Sequence, residues 1–313
     1  MRPALFDLQV NGFAGVDFQR TDVSAAGMRH ACGRLRAHAT HRILLTLITD
    51  KPDTLAHKLE HYERLRVADP LIAETVVGYH LEGPWLSPHP GFHGAHRPEL
   101  MCRPDVADFH RLHDAAHGRL RLLTLAPELP GSDELIAAAR ARGIHVSLGH
   151  TDASDGEIDR AIAAGARLCT HLGNGVPADL PRHDNIIQRL LARDELTACF
   201  IPDGIHLPPA ALRNFFRAKP AGQSILTTDA MAAAGAPPGV YTLAHIETEV
   251  GADGIVRERG RRNFAGSALT LERGVAHAAG WLGLGIDQAW ALASTAVAKR
   301  FDIVLPLIPV FAE

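Results

Sequence analysis

Four residues with chemistry in their side chains each stand at or just past the end of a short apolar run. Glu82 ends TVVGYHLE, His150 follows IHVSLG, His171 follows RLCT, and Asp229 follows SILTT. A glutamate and two histidines are an oxygen–nitrogen donor set suited to a catalytic Zn2+, with a fourth position left for water. Mn2+ and Fe2+ can use the same donors. Taken singly, each residue has a plainer reading: a hydrogen-bonded structural histidine, a salt-bridge glutamate, an aspartate that caps a turn. Gathered at one mouth they are hard to explain as packing, because inward-facing charge is costly unless it is paired or bound to metal. The chemistry therefore depends on elements that bring the four together.

Those elements can be read from a regular series of apolar runs bounded by turn residues, at 4–10, 42–49, 75–83, 120–128, 144–151, 167–174, 197–204 and 224–231. Segments with helical spacing lie between them, among them 24–39, 52–66, 133–143 and 155–165. Pro52, Asp133 and Ser154 suit helix starts, and Gly143 and Gly165 suit helix stops. Eight strands alternating with helices predict one α/β domain over 1–313, a (β/α)8 barrel. A doubly wound open sheet is the rival, but neither GxGxxG nor GxxxxGK[ST] follows any strand. The stretch 235–267 reads as a β-hairpin excursion. A helix over 267–283, another near 287–300 and a short apolar tail follow it.

In such barrels chemistry sits at the C-terminal ends of the strands. Strand 1 ends in Gln9 and Asn11, two apart and so on one face, and strand 7 ends in Asp203 with His206 just beyond. Of 19 histidines, those on helices and loop starts, such as His38, His113 and His277, read as solvated surface, as do His89 and His93 in the loop after Glu82. Net charge is -3 from 32 basic and 35 acidic residues, so no overall field draws nucleic acid or an anionic membrane. No apolar run reaches the roughly 18 residues of a membrane helix, and MRPALFDLQVNG has no signal-peptide pattern. Four scattered cysteines without a CxxC pair fit free thiols in a reducing cytoplasm.

The motifs, taken in order, resemble the N-acetylglucosamine-6-phosphate deacetylases of the amidohydrolase superfamily. They are DLQVNG (7–12), LTLITD (45–50), HLEGPWLSP (80–88), GAHRPE (94–99), LTLAPE (123–128), VSLGHT (146–151), THLGN (170–174), DGIH (203–206), TTDAM (227–231) and AGSALT (265–270). The resemblance implies metal-dependent hydrolysis of the N-acetyl group of N-acetylglucosamine-6-phosphate, with Glu82, His150 and His171 as metal ligands. It makes Asp229 the acid–base residue and His96 the group that polarises the substrate carbonyl. His206, the backbone at Asn174 and Gly175, and Arg182 from a neighbouring subunit would hold the phosphate, which implies a homodimer. Many amidohydrolases carry HxH where this chain has Gln9-Val10-Asn11, so one divalent metal is expected, zinc foremost, with the two amides in the floor of the site.

Some features depart from the family pattern. The family's accessory β-sandwich is expected to be absent. Gly173-Asn174-Gly175-Val176 replaces an aromatic-Asn-Ala-Met run, giving a more pliable phosphate-side loop without an aromatic wall, and Arg182-His183-Asp184-Asn185 replaces R-x-P-G. The alternatives are an amidohydrolase acting on another N-acyl substrate, phosphorylated or not, and a non-catalytic sugar-phosphate binder.

Overall fold

The computed structural model describes residues 1–260 and 264–309. Eight parallel strands form its central sheet: β1 (Leu5–Val10), β2 (Thr40–Ile48), β3 (Val76–Glu82), β4 (Leu120–Leu125), β5 (His145–Leu148), β6 (Leu168–Cys169), β7 (Thr197–Phe200) and β8 (Ser224–Leu226). Neighbours in sequence are neighbours in the sheet from β1 round to β8, with helices in the connections. β1 is buried along its whole length, as expected of a strand with its own sheet inside and helices outside. Apolar residues outnumber polar ones in the strands, and several of the polar ones are buried, among them Asp7, Gln9, Thr46, His80 and Glu82.

The ring closes without a ladder. Between β1 and β8 the backbone makes one parallel bridge, Val10 to Ala230, with the Asn11 N–H donating to Ala230 O at 2.7 Å. Side chains supply the rest. Buried Asp7 accepts from Thr227 Oγ1 at 2.7 Å and from Thr228 Oγ1 at 2.6 Å. Burial pushes the Asp7 carboxyl up, and these hydrogen bonds work against that rise.

The barrel interior is layered. Phe6, Leu8, Leu44, Leu122, Leu168, Cys199 and Ile225 form an apolar floor with Val297, Ala298 and Phe301 of the helix Thr295–Phe301. Two residues further along the same faces, the lining turns polar. His80 bonds Thr46 Oγ1 at 3.2 Å and Thr124 Oγ1 at 2.8 Å, Thr124 bonds Thr170 at 2.7 Å, and Thr170 bonds Ser147 at 2.7 Å. Every member is buried and partnered, which fixes the strands' relative heights beneath the mouth. Glu82 stands one step above His80 on β3.

Local signals work as their chemistry dictates. Ser154 caps the helix Asp155–Ala164 with a reciprocal bond to Glu157, and Gly165 stops it at φ 124°. The expected helix near 287–300 is two helices, Ile286–Leu292 and Thr295–Phe301. The break falls at Ser294, whose hydroxyl donates to Ala4 O at 2.7 Å, while the Phe6 N–H donates to Ala293 O at 2.9 Å. Docking β1 thus competes with helix continuity and wins. Within the expected excursion, strands Gly239–Leu243, Ile246–Val250 and Val256–Glu258 pair antiparallel. Residues 261–263 of that stretch and 310–313 of the tail lie outside the described residues. All four cysteines are free thiols. His113 is buried rather than solvated, and His38 and His277 are bonded to Glu272 and to Pro202 O.

Candidate metal centre and catalytic site

Three barrel strands end before the residues that matter. β5 stops at Leu148, β6 at Cys169 and β8 at Leu226, short of the expected 151, 174 and 231. Beyond them His150 (φ 53°), His171 (φ 30°) and Asp229 (φ 53°) adopt the left-handed conformation. Each costs about 1–2 kcal/mol relative to ordinary backbone. The bend takes the chain out of the ladder and leaves these side chains within the mouth. β3 instead runs to Glu82 itself and turns at Gly83 (φ 89°).

The bends bring Glu82, His150 and His171 together, each buried, with one ligand atom apiece all within 4.8 Å of one another. Glu82 Oε1 lies 2.9 Å from His171 Nε2 and 3.4 Å from His150 Nε2. The opposite ring nitrogen of His150, Nδ1, sits 2.7 Å from Phe92 O. A carbonyl only accepts, so Nδ1 carries a proton and Nε2 is the ring nitrogen left to face Glu82 and a cation. Burial would raise the Glu82 carboxyl, but hydrogen bonds from His150 and His171 and the charge of neighbouring histidines hold it well below the usual range. Burial would lower His171, yet its bond to Glu82 and the Glu82 charge raise it. An ionised carboxylate beside a proton-holding imidazole is the charge pattern that a divalent cation replaces. The donor set fits such an ion.

Asp229 faces this cluster from the bend beyond β8. Its Oδ1 accepts from Gln9 Nε2 at 2.9 Å and from Asn11 Nδ2 at 2.7 Å, so both strand-1 amides hold one oxygen across the seam. Oδ2 is left to take a proton. Burial, and next the charge on Glu82, push the Asp229 carboxyl up to about 7.

The loop after β3 folds back over the mouth. His96 is buried, and its Nε2 comes within 3.8 Å of Glu82 Oε2. Its ring meets that of His150 edge-on at 4.5 Å, as the His150 ring meets that of His171 at 4.9 Å. Burial, with the nearby charge of His150, pushes the His96 imidazole down to about 3, so it is neutral. Gly94 and Gly175 both press on His150. A Cβ at Gly94 would lie 2.8 Å from Cε1, and one at Gly175 would lie 2.8 Å from Nδ1. Gly175 is thus required by close approach and by φ +64°, a different reason from the pliability expected of the loop.

Asp203 Oδ1 accepts the backbone N–H groups of Ile205 and His206 at 2.8 Å each, and Oδ2 lies 2.6 Å from His206 Nδ1. The carboxylate therefore fixes the proton on Nδ1 and orients the imidazole. Burial would raise Asp203, but its His206 bond and charge pull it below the usual range. The Asn174 N–H donates to His171 O at 3.0 Å, while the Gly175 N–H has no partner among the described residues. His206, Asn174, Gly175, Glu82, His96, His150, His171 and Asp229 line one cavity of about 710 Å3. Arg182 is exposed and does not line it. Among the described residues the lining holds no arginine or lysine. It does include His93, expected on the surface, and Phe264, whose ring lies 5.3 Å from that of His206. His93 shares the loop of His96, a signal that was available. Nothing in the sequence pointed to Phe264.

The chain is 38% identical over 307 residues to an N-acetylglucosamine-6-phosphate deacetylase of Bos taurus, covering 94% of this chain and 72% of the relative. To the Bacillus subtilis (strain 168) protein of that name it is 32% identical over 277 residues, covering 88% and 68%. Among solved structures, a mutant N-acetyl-D-glucosamine-6-phosphate deacetylase from Mycobacterium smegmatis, in complex with N-acetyl-D-glucosamine-6-phosphate, superimposes with a TM-score of 0.86. It is 32% identical, and the match covers 96% of this chain and 77% of that one. No protein-family model matches the chain.

Proposed function

This chain belongs to the N-acetylglucosamine-6-phosphate deacetylase family, and from that premise we propose how its own residues carry out the reaction. It hydrolyses the N-acetyl group of N-acetylglucosamine-6-phosphate, giving glucosamine-6-phosphate and acetate. The observation that carries the reading is Asp229: a buried carboxyl pushed up to about 7, one oxygen clamped, facing a Glu/His/His donor set.

Glu82, His150 and His171 hold one divalent cation, zinc by the chemistry of the donors. When bound, that ion supplies positive charge that polarises the acyl oxygen and acidifies a water. Asp229 Oδ2 takes a proton from the attacking water. The same oxygen then hands it to the nitrogen, so the amine leaves neutral and the C–N bond breaks. Proton transfer of this kind contributes ~10²–10⁴-fold. His96 donates a ring N–H to the acyl oxygen as negative charge develops there, and its neutral state limits the competing charge in the pocket. Gln9 and Asn11 keep Asp229 from rotating, which holds Oδ2 in line.

Within the same cavity the Gly175 N–H and His206 receive the phosphate, with Asp203 setting the imidazole. A dianionic phosphate needs more positive charge than one imidazole, and the lining offers no arginine or lysine among the described residues. Exposed Arg182 of a second copy supplies it in a homodimer. The whole span 1–313 serves as one catalytic unit, and its free thiols suit the cytoplasm. The test is acetate release by the zinc-loaded protein, comparing N-acetylglucosamine-6-phosphate with N-acetylglucosamine. A strong preference for the phosphorylated sugar is expected. Equal rates would refute the phosphate site, and cleavage of neither sugar would refute the deacetylase reading.

A further inference from the structure

Thr49 follows β2 directly and is buried beside the catalytic loop. Its backbone N–H donates to His96 Nδ1 at 3.3 Å, and its hydroxyl lies 2.9 Å from the same nitrogen. A backbone N–H can only donate, so Nδ1 must present its lone pair. The hydroxyl has a second possible acceptor, Glu82 O, but that lies at 3.4 Å, and the shorter contact takes the proton. Two donors converging on Nδ1 leave it bare and place the ring's single proton on Nε2. That nitrogen is the one 3.8 Å from Glu82 Oε2, at the cavity.

We propose that Thr49 is a positioning residue that locks His96 in the Nε2–H form, so that His96 acts only as a hydrogen-bond donor to the acyl oxygen and never as a base. The proposal rests on the assignment of His96 to that oxygen. It divides the labour of the site: with Nε2 already protonated and Nδ1 occupied by Thr49, Asp229 is the only route for the proton that water gives up. The neighbouring backbone is shaped to allow this. A Cβ on Gly83 (φ +89°) would lie 2.2 Å from Thr49 Oγ1, so only glycine there leaves the hydroxyl where His96 needs it. Partners that orient a catalytic or ligating histidine from behind are worth about 10–100-fold in activity when removed.

Two experiments test it. In the first, the ring 15N shifts of His96 are measured in the metal-free and zinc-loaded chains near neutral pH, assigned as the signals lost in H96Q. A protonated Nε2 and a bare Nδ1 are expected in both, and a protonated Nδ1 overturns the proposal whatever the activity. In the second, T49V should lower kcat about 10-fold or more with KM within about twofold, and T49S should recover most of the loss. H96Q, which keeps an N–H donor, should exceed H96L by about 10-fold or more. T49V with wild-type kcat, or H96Q as slow as H96L, overturns it. A wild-type chain that cleaves no N-acetyl sugar yet shows the Nε2–H form refutes the assigned reaction and leaves the tautomer standing, so the two failures are distinguishable.

Discussion

Gly175→Ala is the sharpest perturbation the geometry offers. The new Cβ would lie 2.8 Å from His150 Nδ1 and 2.9 Å from Cε1, where carbon contacts normally sit at about 3.5–4.0 Å. Something must move by more than half an ångström. The imidazole has little room to do so: Nδ1 is bonded to Phe92 O at 2.7 Å, Gly94 presses on Cε1, and the His96 and His171 rings flank it. Alanine at φ +64° also adds about 1–2 kcal/mol of backbone strain. A candidate donor displaced on this scale falls outside the roughly 0.5 Å tolerance of a preorganised site. Zinc affinity should drop about 10–100-fold, measured by competition with a chromogenic chelator. Gly222→Ala is the control, since Gly222 has φ +83° and open space where a Cβ would go. It carries the strain without the collision, so its thermal midpoint should fall by a few degrees while zinc binding stays unchanged. Equal zinc affinities in the two variants would refute the argument that close approach fixes His150.

D229N should lower kcat by about 10²–10⁴-fold while zinc still binds, checked by pairing acetate release with metal analysis. Without metal, the Asp229 carboxyl, raised to about 7, holds its proton more tightly in the folded chain than in the unfolded one. Its contribution therefore favours folding below about 3.8 and fades as pH rises through about 7. A cation reverses the preference, so zinc binding near pH 6 should release roughly one proton more from wild type than from D229N, read by titration in weak buffer. Activity of the loaded enzyme should fall on acidification as Asp229 loses its ability to accept. H206N should raise KM for the phosphorylated sugar about 10-fold or more and leave the unphosphorylated sugar unaffected, and D203N should do the same more weakly. Mixing inactive D229N with R182A should restore turnover of the phosphorylated sugar if Arg182 works across subunits, because a hybrid dimer then holds one intact site.

The strands and the principal polar residues were legible because an apolar run that ends in Glu, His or Asp carries two signals at once. TVVGYHLE shows both a buried strand and the carboxylate it delivers. Less visible was how the delivery works. Nothing in SLGHT or CTHLG announces a left-handed histidine, since that conformation is disfavoured for histidine and is held in place here by surrounding contacts. The same bends shortened β5, β6 and β8 relative to expectation. Glycines at 173 and 175 invite a reading of looseness, whereas their contacts with Phe215, Leu207 and the His150 ring show tight approach. The break at Ser294 depends on a hydrogen bond to a residue 290 positions away, which no local pattern encodes.

The seam between β1 and β8 gives the molecule the mechanics of a split ring. Seven joins are ladders of backbone bonds, while the eighth is a single bridge, a buried aspartate held by two threonines, and the pair of amides on Asp229. A loosening of the ring at this seam therefore reaches Asp229 directly, because the amides that hold its carboxylate are also fasteners of the barrel. A substitution at the seam that spares every cavity-lining side chain, such as T227V on the Asp7 clasp, should therefore disturb the aim of Asp229 as well as the closure of the ring.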